Sequence, residues 1–134
     1  MTFLVDTNVV SELPKKRPDP GALGWLEQHP GLAVSAVTIE ELTYGVERAR
    51  AEARGRLREW LAAFEASGVA VLPVDASVAK AAGTLRASRE AMGRRVAQAD
   101  MLIAATALVH GRTLVTRNAR DFEGCGVRVV NPFR

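Results

Sequence analysis

The chain has a single cysteine, Cys125, so it can form neither an internal disulfide nor a cysteine-built metal cluster. It has two histidines. His29 precedes a proline in a loop and His110 suits a helix C-terminus. Neither is placed to pair with a serine or cysteine nucleophile, which argues against a catalytic triad. No Walker A sequence occurs, and no Gly-x-Gly-x-x-Gly follows a strand. Long hydrophobic runs are missing as well: the longest, around residues 101–109, falls far short of a bilayer span. The first apolar run is too short for a signal peptide and is interrupted by Asp6. Together these absences imply a cytoplasmic protein with no membrane segment.

What is present is enough for one core. A length of 134 residues with 48% hydrophobic content suits a single compact domain over 1–134. The net charge of +3 and pI near 9.6 lean toward polyanions, although charges of both signs mean the bias alone identifies no nucleic-acid binder. There is no internal repeat, low-complexity segment or linker. Apolar runs of strand length occur at 3–5, 32–36, 69–74, 113–116 and 127–130, the third interrupted by Pro73. Between them lie helical patterns. Val9 to Leu13 is stopped by Pro14, and Asp19-Pro20 starts a helix that carries Leu23 and Leu26 inward. Thr38 with Glu41 fits a capping box, as N-cap and N3 residue, ahead of Leu42 and Val46. Leu57, Trp60, Leu61 and Phe64 form a second stripe, predicting a helical hairpin. Asp75 caps a helix with Val78, Ala82, Leu85 and Met92 inward, and 98–110 is a helix apolar almost all round, closed by Gly111. Strands alternating with helices predict an α/β fold with a parallel sheet of about five strands and right-handed crossovers.

In such a sheet, ligands collect beyond the carboxyl ends of the strands. Asp6 stands there, directly after the first strand, where a turn aspartate ordinarily only bonds nearby backbone N–H groups. Asn8 is placed to orient it. Glu41 divides evenly between helix capping and chemistry. Asp100 sits in a run of apolar residues, where an unpartnered carboxylate is costly, although a first-turn position also favours an acid. After the fourth strand come Thr116, Asn118 and Asp121, a hydroxyl, a neutral oxygen donor and a fourth acid. Several carboxylates with no soft ligands suit Mg2+ or Mn2+ rather than zinc. Such ions would let a phosphate approach a pocket whose bare charge repels it.

The blocks Leu4-Val5-Asp6-Thr7-Asn8, Ser35 to Thr38 with Glu41-Leu42, Tyr44 and Gly45, Ala99-Asp100 with Ile103 to Ala107, Leu114 to Asn118 with Asp121-Phe122, and Asn131-Pro132 run in order over nearly the whole chain. In these the chain resembles PIN-domain proteins of the VapC type, with the FitB-like branch nearest. The resemblance implies a three-layer fold, helices around a central parallel sheet. It implies a toxin of a toxin–antitoxin pair that cleaves structured cellular RNA, with tRNA one candidate, through metal-activated water. The products would carry a 3′-hydroxyl and a 5′-phosphate. By position, Asp6, Glu41 and Asp100 match the family's metal-binding acids. Many members have aspartate where this chain has Asn118, and Asp121 would supply the missing charge. One firm metal site, at Asp6 and Asp100, and one weak site follow. Implied partners are a cognate VapB-like antitoxin, the RNA substrate, a second copy in a homodimer, and operator DNA reached only through the antitoxin. The row Arg50, Arg54, Arg58 is by default a solvated face, and under the resemblance it would steer the RNA backbone.

Two other classes compete. A regulatory module of little or no activity, serving its antitoxin on operator DNA, is motivated by Asn118. A phospho-acceptor domain is disfavoured, because the second acid it wants two residues after Asp6 is Asn8, and no lysine follows the last strand.

Overall fold

The computed structural model describes residues 2–134. Five short strands, β1 Phe3–Val5, β2 Ala33–Ser35, β3 Ala70–Leu72, β4 Thr113–Val115 and β5 Val129–Val130, form one sheet in the order β3-β2-β1-β4-β5. Every neighbouring pair is parallel, as the strand–helix alternation predicts. The central strands lack polar faces because helices cover both sides. Side chains alternate between the two faces. Leu4, Ala33 and Leu114 point into one core with Val78, Met101, Ile103 and Phe122. Val5, Val34 and Val115 point into the other with Val9, Val10, Leu42, Leu61 and Phe64.

The second core is built by α1 Thr7–Val10, α2 Pro20–Gln28, α3 Ala36–Glu47 and α4 Ala51–Ala66, and the first by α5 Ala76–Ala91 and α6 Gln98–Val109. The result is the three-layer arrangement, with α3 and α4 as the expected helical hairpin.

Local details depart from the sequence expectations in informative ways. The first helix begins at Thr7, not Val9, because Asp6 caps it. In α2 the fully buried residues are Gly21, Ala22 and Leu26, with Leu23 half-buried. Gly21 is needed there: a Cβ would meet the Pro132 carbonyl oxygen at 2.3 Å. Thr38 is not the N-cap of α3; Ser35 is, accepting from the Val37 N–H at 3.1 Å. On α5 the expected inner residue Met92 lies outside, 69% exposed, and Arg89 takes the inner position at 2%. Strand β3 stops before Pro73 and leaves Val71 and Val74 exposed at the sheet edge.

The chain steps from β1 out through β2 to β3, then returns to the other side of β1 as β4. The strand order therefore reverses between β1 and β4, and the crevice at their carboxyl ends is where an open α/β sheet places ligands.

Candidate active site

Asp6 leaves β1 at that crevice and is 4% exposed. One carboxylate oxygen does what a turn aspartate ordinarily does: Oδ1 accepts from the Thr7 N–H at 2.7 Å and caps α1. The other, Oδ2, accepts from the Thr116 hydroxyl at 2.7 Å and from Asn8 Nδ2 at 3.3 Å. Thr116, fully buried beyond β4, also accepts from the Asn118 N–H at 3.1 Å. Asn8 ties the two loops together, since its Oδ1 accepts from the Arg117 N–H at 3.1 Å. Asp6 is thus fixed in orientation by groups on both strands.

With Ser35 capping α3, Glu41 has no capping duty. Its Oε1 accepts from the Thr7 hydroxyl at 2.6 Å, and that hydroxyl lies 2.9 Å from Thr38 Oγ1. Asp100 sits in the first turn of α6, half-buried. Asp121 is exposed on the 3-10 turn Ala119–Phe122, which Phe122 anchors in the core. Asn118 begins that turn and is exposed; its carbonyl accepts from the Asp121 N–H at 2.9 Å.

These acids act on one another. Burial raises the Asp6 carboxyl above its ordinary range; the Thr116 and Thr7 hydrogen bonds offset part of this, and Glu41 and Asp121 add to it. Asp100 is pushed up to about 6, first by burial and then by the charges of Asp6, Asp121 and Glu41. Among the described residues none of the four has an ion-pair partner. A concentration of negative charge without an ion-pair partner fits a bound cation, and an oxygen-only donor set fits a hard one. No three His, Cys, Asp or Glu side chains among the described residues stand close enough to share one ion as placed.

A cleft of about 430 Å3 opens beside Asp100 and Asp121, walled by Arg94, Arg95, Arg120 and Met101. A smaller apolar groove of about 160 Å3 runs from Thr7 and Glu41 along Leu42, Val46, Leu57 and Trp60. The row Arg50, Arg54, Arg58 does not border the acidic cleft. Arg58 forks Glu47 at 2.8 and 2.6 Å, Arg54 donates to the Ala49 carbonyl at 2.9 Å, and Arg50 is the N-cap residue of α4. Sequence reasoning missed the cleft arginines and Thr7. Arg94-Arg95 reads only as a break after Gly93, although its place just ahead of the helix bearing Asp100 is a usable signal.

Comparison with known proteins finds relatives over most of the chain. Residues 3–124 match the PIN domain family. A VapC ribonuclease, Y4jK, of Sinorhizobium fredii is 34% identical, with 98% of this chain and 97% of the relative covered. A tRNA(fMet)-specific endonuclease VapC of Shigella flexneri is 33% identical, with 94% and 93% covered. Among solved structures, FitAcB of Neisseria gonorrhoeae superposes with a TM-score of 0.89 at 32% identity, covering 98% of each chain. VapBC2 of Rickettsia felis, bound to a DNA fragment from its promoter, gives 0.83 at 25% identity, again covering 98% of each. A toxin–antitoxin complex from Klebsiella pneumoniae gives 0.75 at 28%, covering 99% of each.

Proposed function

The chain belongs to the PIN-domain family, and from that premise we propose that it is a metal-dependent endoribonuclease, the toxin of a toxin–antitoxin pair. The observation that carries this is the set of four acids, coupled through Asp6 and Asp100 and without an ion-pair partner among the described residues, at the strand-order reversal.

Asp6 and Asp100 are the residues that would hold Mg2+ or Mn2+. The ion, when bound, supplies a Lewis acid that polarises a phosphoryl oxygen and lowers the pKa of water. Thr116, Asn8 and the Thr7 N–H hold the Asp6 carboxylate in one orientation, and the Thr7 hydroxyl does the same for Glu41. Glu41, anchored at one oxygen through Thr7, would take a proton from the attacking water with the other. Attack by water at phosphorus with departure of the 3′ oxygen leaves a 3′-hydroxyl and a 5′-phosphate. Asp121 adds negative charge at the cleft, where the neutral Asn118 adds none, so a second ion would bind weakly.

The substrate is a structured cellular RNA, and tRNA is favoured because a relative of similar length is a tRNA(fMet)-specific endonuclease. The apolar groove that reaches Glu41 would receive a segment of the cognate antitoxin, covering the acids while it is bound. The toxin would work as a homodimer and reach operator DNA only through that antitoxin. Purified protein should cut RNA only with Mg2+ or Mn2+, and Asp6→Asn or Asp100→Asn should abolish cutting with circular dichroism unchanged. Full activity in a chelating buffer overturns the reading.

A second reading, a regulatory module of little or no activity, is favoured by Asn118 and by the relative solved on promoter DNA. Calorimetric titration separates the two: absence of binding at millimolar Mg2+ and Mn2+ selects the module.

A further inference from the structure

Any strand that reaches the acids meets four carboxylates whose charges already oppose one another. At physiological salt, with a screening length of about 8 Å, a phosphodiester needs cations close by to settle there. The 430 Å3 cleft provides them from two separate pieces of chain. One is the loop between α5 and α6, with Arg94 and Arg95; the other is the 3-10 turn, where Arg120 is adjacent to Asp121. Arg94 is partly occupied, 3.9 Å from the Glu123 carboxylate. Arg95 and Arg120 are exposed and have no ion-pair or hydrogen-bond partner among the described side chains. The two therefore line one cleft from separate segments as uncommitted guanidinium groups, a pair suited to forked contacts with phosphate oxygens. The Arg54 and Arg58 guanidinium groups, by contrast, are already engaged locally.

We infer that Arg95 and Arg120 grip the phosphodiester backbone of the RNA strand on one side of the scissile bond, so that the strand enters between the α5–α6 loop and the 3-10 turn. The identity of the polyanion as RNA rests on the nuclease reading; the phosphate-binding surface rests on the cleft.

The test is fluorescence anisotropy of a labelled single-stranded RNA over a series of salt concentrations in chelating buffer, followed by cleavage kinetics in Mn2+. Arg95→Ala and Arg120→Ala should each weaken binding on the order of tenfold. Each should also reduce the slope of log affinity against log salt by about 0.7. Both should raise KM more than they lower kcat. Arg128→Ala, at another exposed arginine on the opposite, amino-terminal edge of the strands, should leave binding unchanged. Equal losses for all three variants, or wild-type KM in the Arg95/Arg120 double variant, overturns the inference while leaving the nuclease reading standing. RNA binding that depends on Arg95 and Arg120, with no cleavage in any divalent metal, supports the inference and removes the nuclease reading instead.

Discussion

The hydroxyl of Thr116 donates a 2.7 Å hydrogen bond to Oδ2 of Asp6, joining the ends of β1 and β4 at the point where the strand order reverses. Thr116 is the largest influence opposing the burial of Asp6, because a bond to the charged form favours that form. Thr116→Val keeps the side-chain shape and removes the hydroxyl. The expected outcome is a further rise in the Asp6 pKa and a loss of metal affinity or cleavage of about 10- to 100-fold, typical when a partner that orients a ligand is removed. Thr116→Ser should restore most of it. Calorimetry of metal binding across the three proteins checks the order, and a purely steric role for Thr116 would leave the Val variant closest to wild type.

Mild acid should favour the folded, metal-free protein through Asp100 and Asp6, against the opposite trend of Glu12, whose carboxyl is lowered. The Asp100 carboxyl is raised to about 6 from an ordinary 3.8, so the folded state holds its proton more tightly than the unfolded chain does. That contribution is complete below the unfolded value and is lost as pH rises through about 6. Asp6 shifts in the same direction. As pH rises through this window the urea midpoint of the wild type should therefore fall relative to that of Asp100→Asn, leaving the variant the more stable near neutral pH. Protons and metal compete for the same oxygens, so metal affinity should drop on acidification below about 6. Identical pH profiles for wild type and Asp100→Asn would refute the argument.

The parts of the fold that were legible are those where pattern and physics agree at short range. Alternating strands and helices gave the parallel sheet, and Asp19-Pro20, Asp75 and Gly111 marked helix ends that the structure has. The capping-box spacing of Thr38 and Glu41 puts the start of α3 three residues late, because Ser35 just upstream is the hydroxyl that caps it. Only the register of β2 decides between Ser35 and Thr38: the strand runs through Ser35, so the helix starts at Ala36 and Thr38 is swallowed. Arg89 was invisible for a different reason. Its helical spacing after Val78, Ala82 and Leu85 puts it on the inner face, and polarity alone argued against that. Asp6 and Asp100 are legible as acids at a strand end and in a first helical turn, and Glu41 as an acid on the helix after β2. Their mutual repulsion, and the arginines across the cleft, depend on loops meeting in three dimensions.

Burial of Arg89 makes Gly124 a sensitive position. Gly124 has φ +79, a conformation L side chains rarely adopt, and a Cβ there would meet Arg89 Nη1 at 2.2 Å. The Arg89 side chain is only 2% exposed, so its guanidinium has little room to move aside. Gly124→Ala should cost about 1–3 kcal/mol from backbone strain alone, with the overlap adding to it. The urea midpoint should fall at unchanged m-value. Gly126→Ala, with the same φ of +79 but open space around it, should cost less. Equal costs would mean that the contact with Arg89 contributes nothing.

Helix α3 separates stability from chemistry in a way that two substitutions can read. Ser35 accepts from the Val37 N–H at the helix start, so Ser35→Ala should cost about 1 kcal/mol. Glu41 would cost a similar amount to truncate if it closed a capping box, but it points instead at Thr7 and at the acids. Glu41→Ala loses one hydrogen bond, gains slightly in helix propensity and relieves repulsion on Asp6 and Asp100. Its urea midpoint should therefore stay within about 0.5 kcal/mol of wild type. Cleavage should fall by about 100-fold or more if Glu41 handles the proton of the attacking water, the range that a positioned base supplies. Destabilisation matching Ser35→Ala, with cleavage retained, would return Glu41 to a capping role.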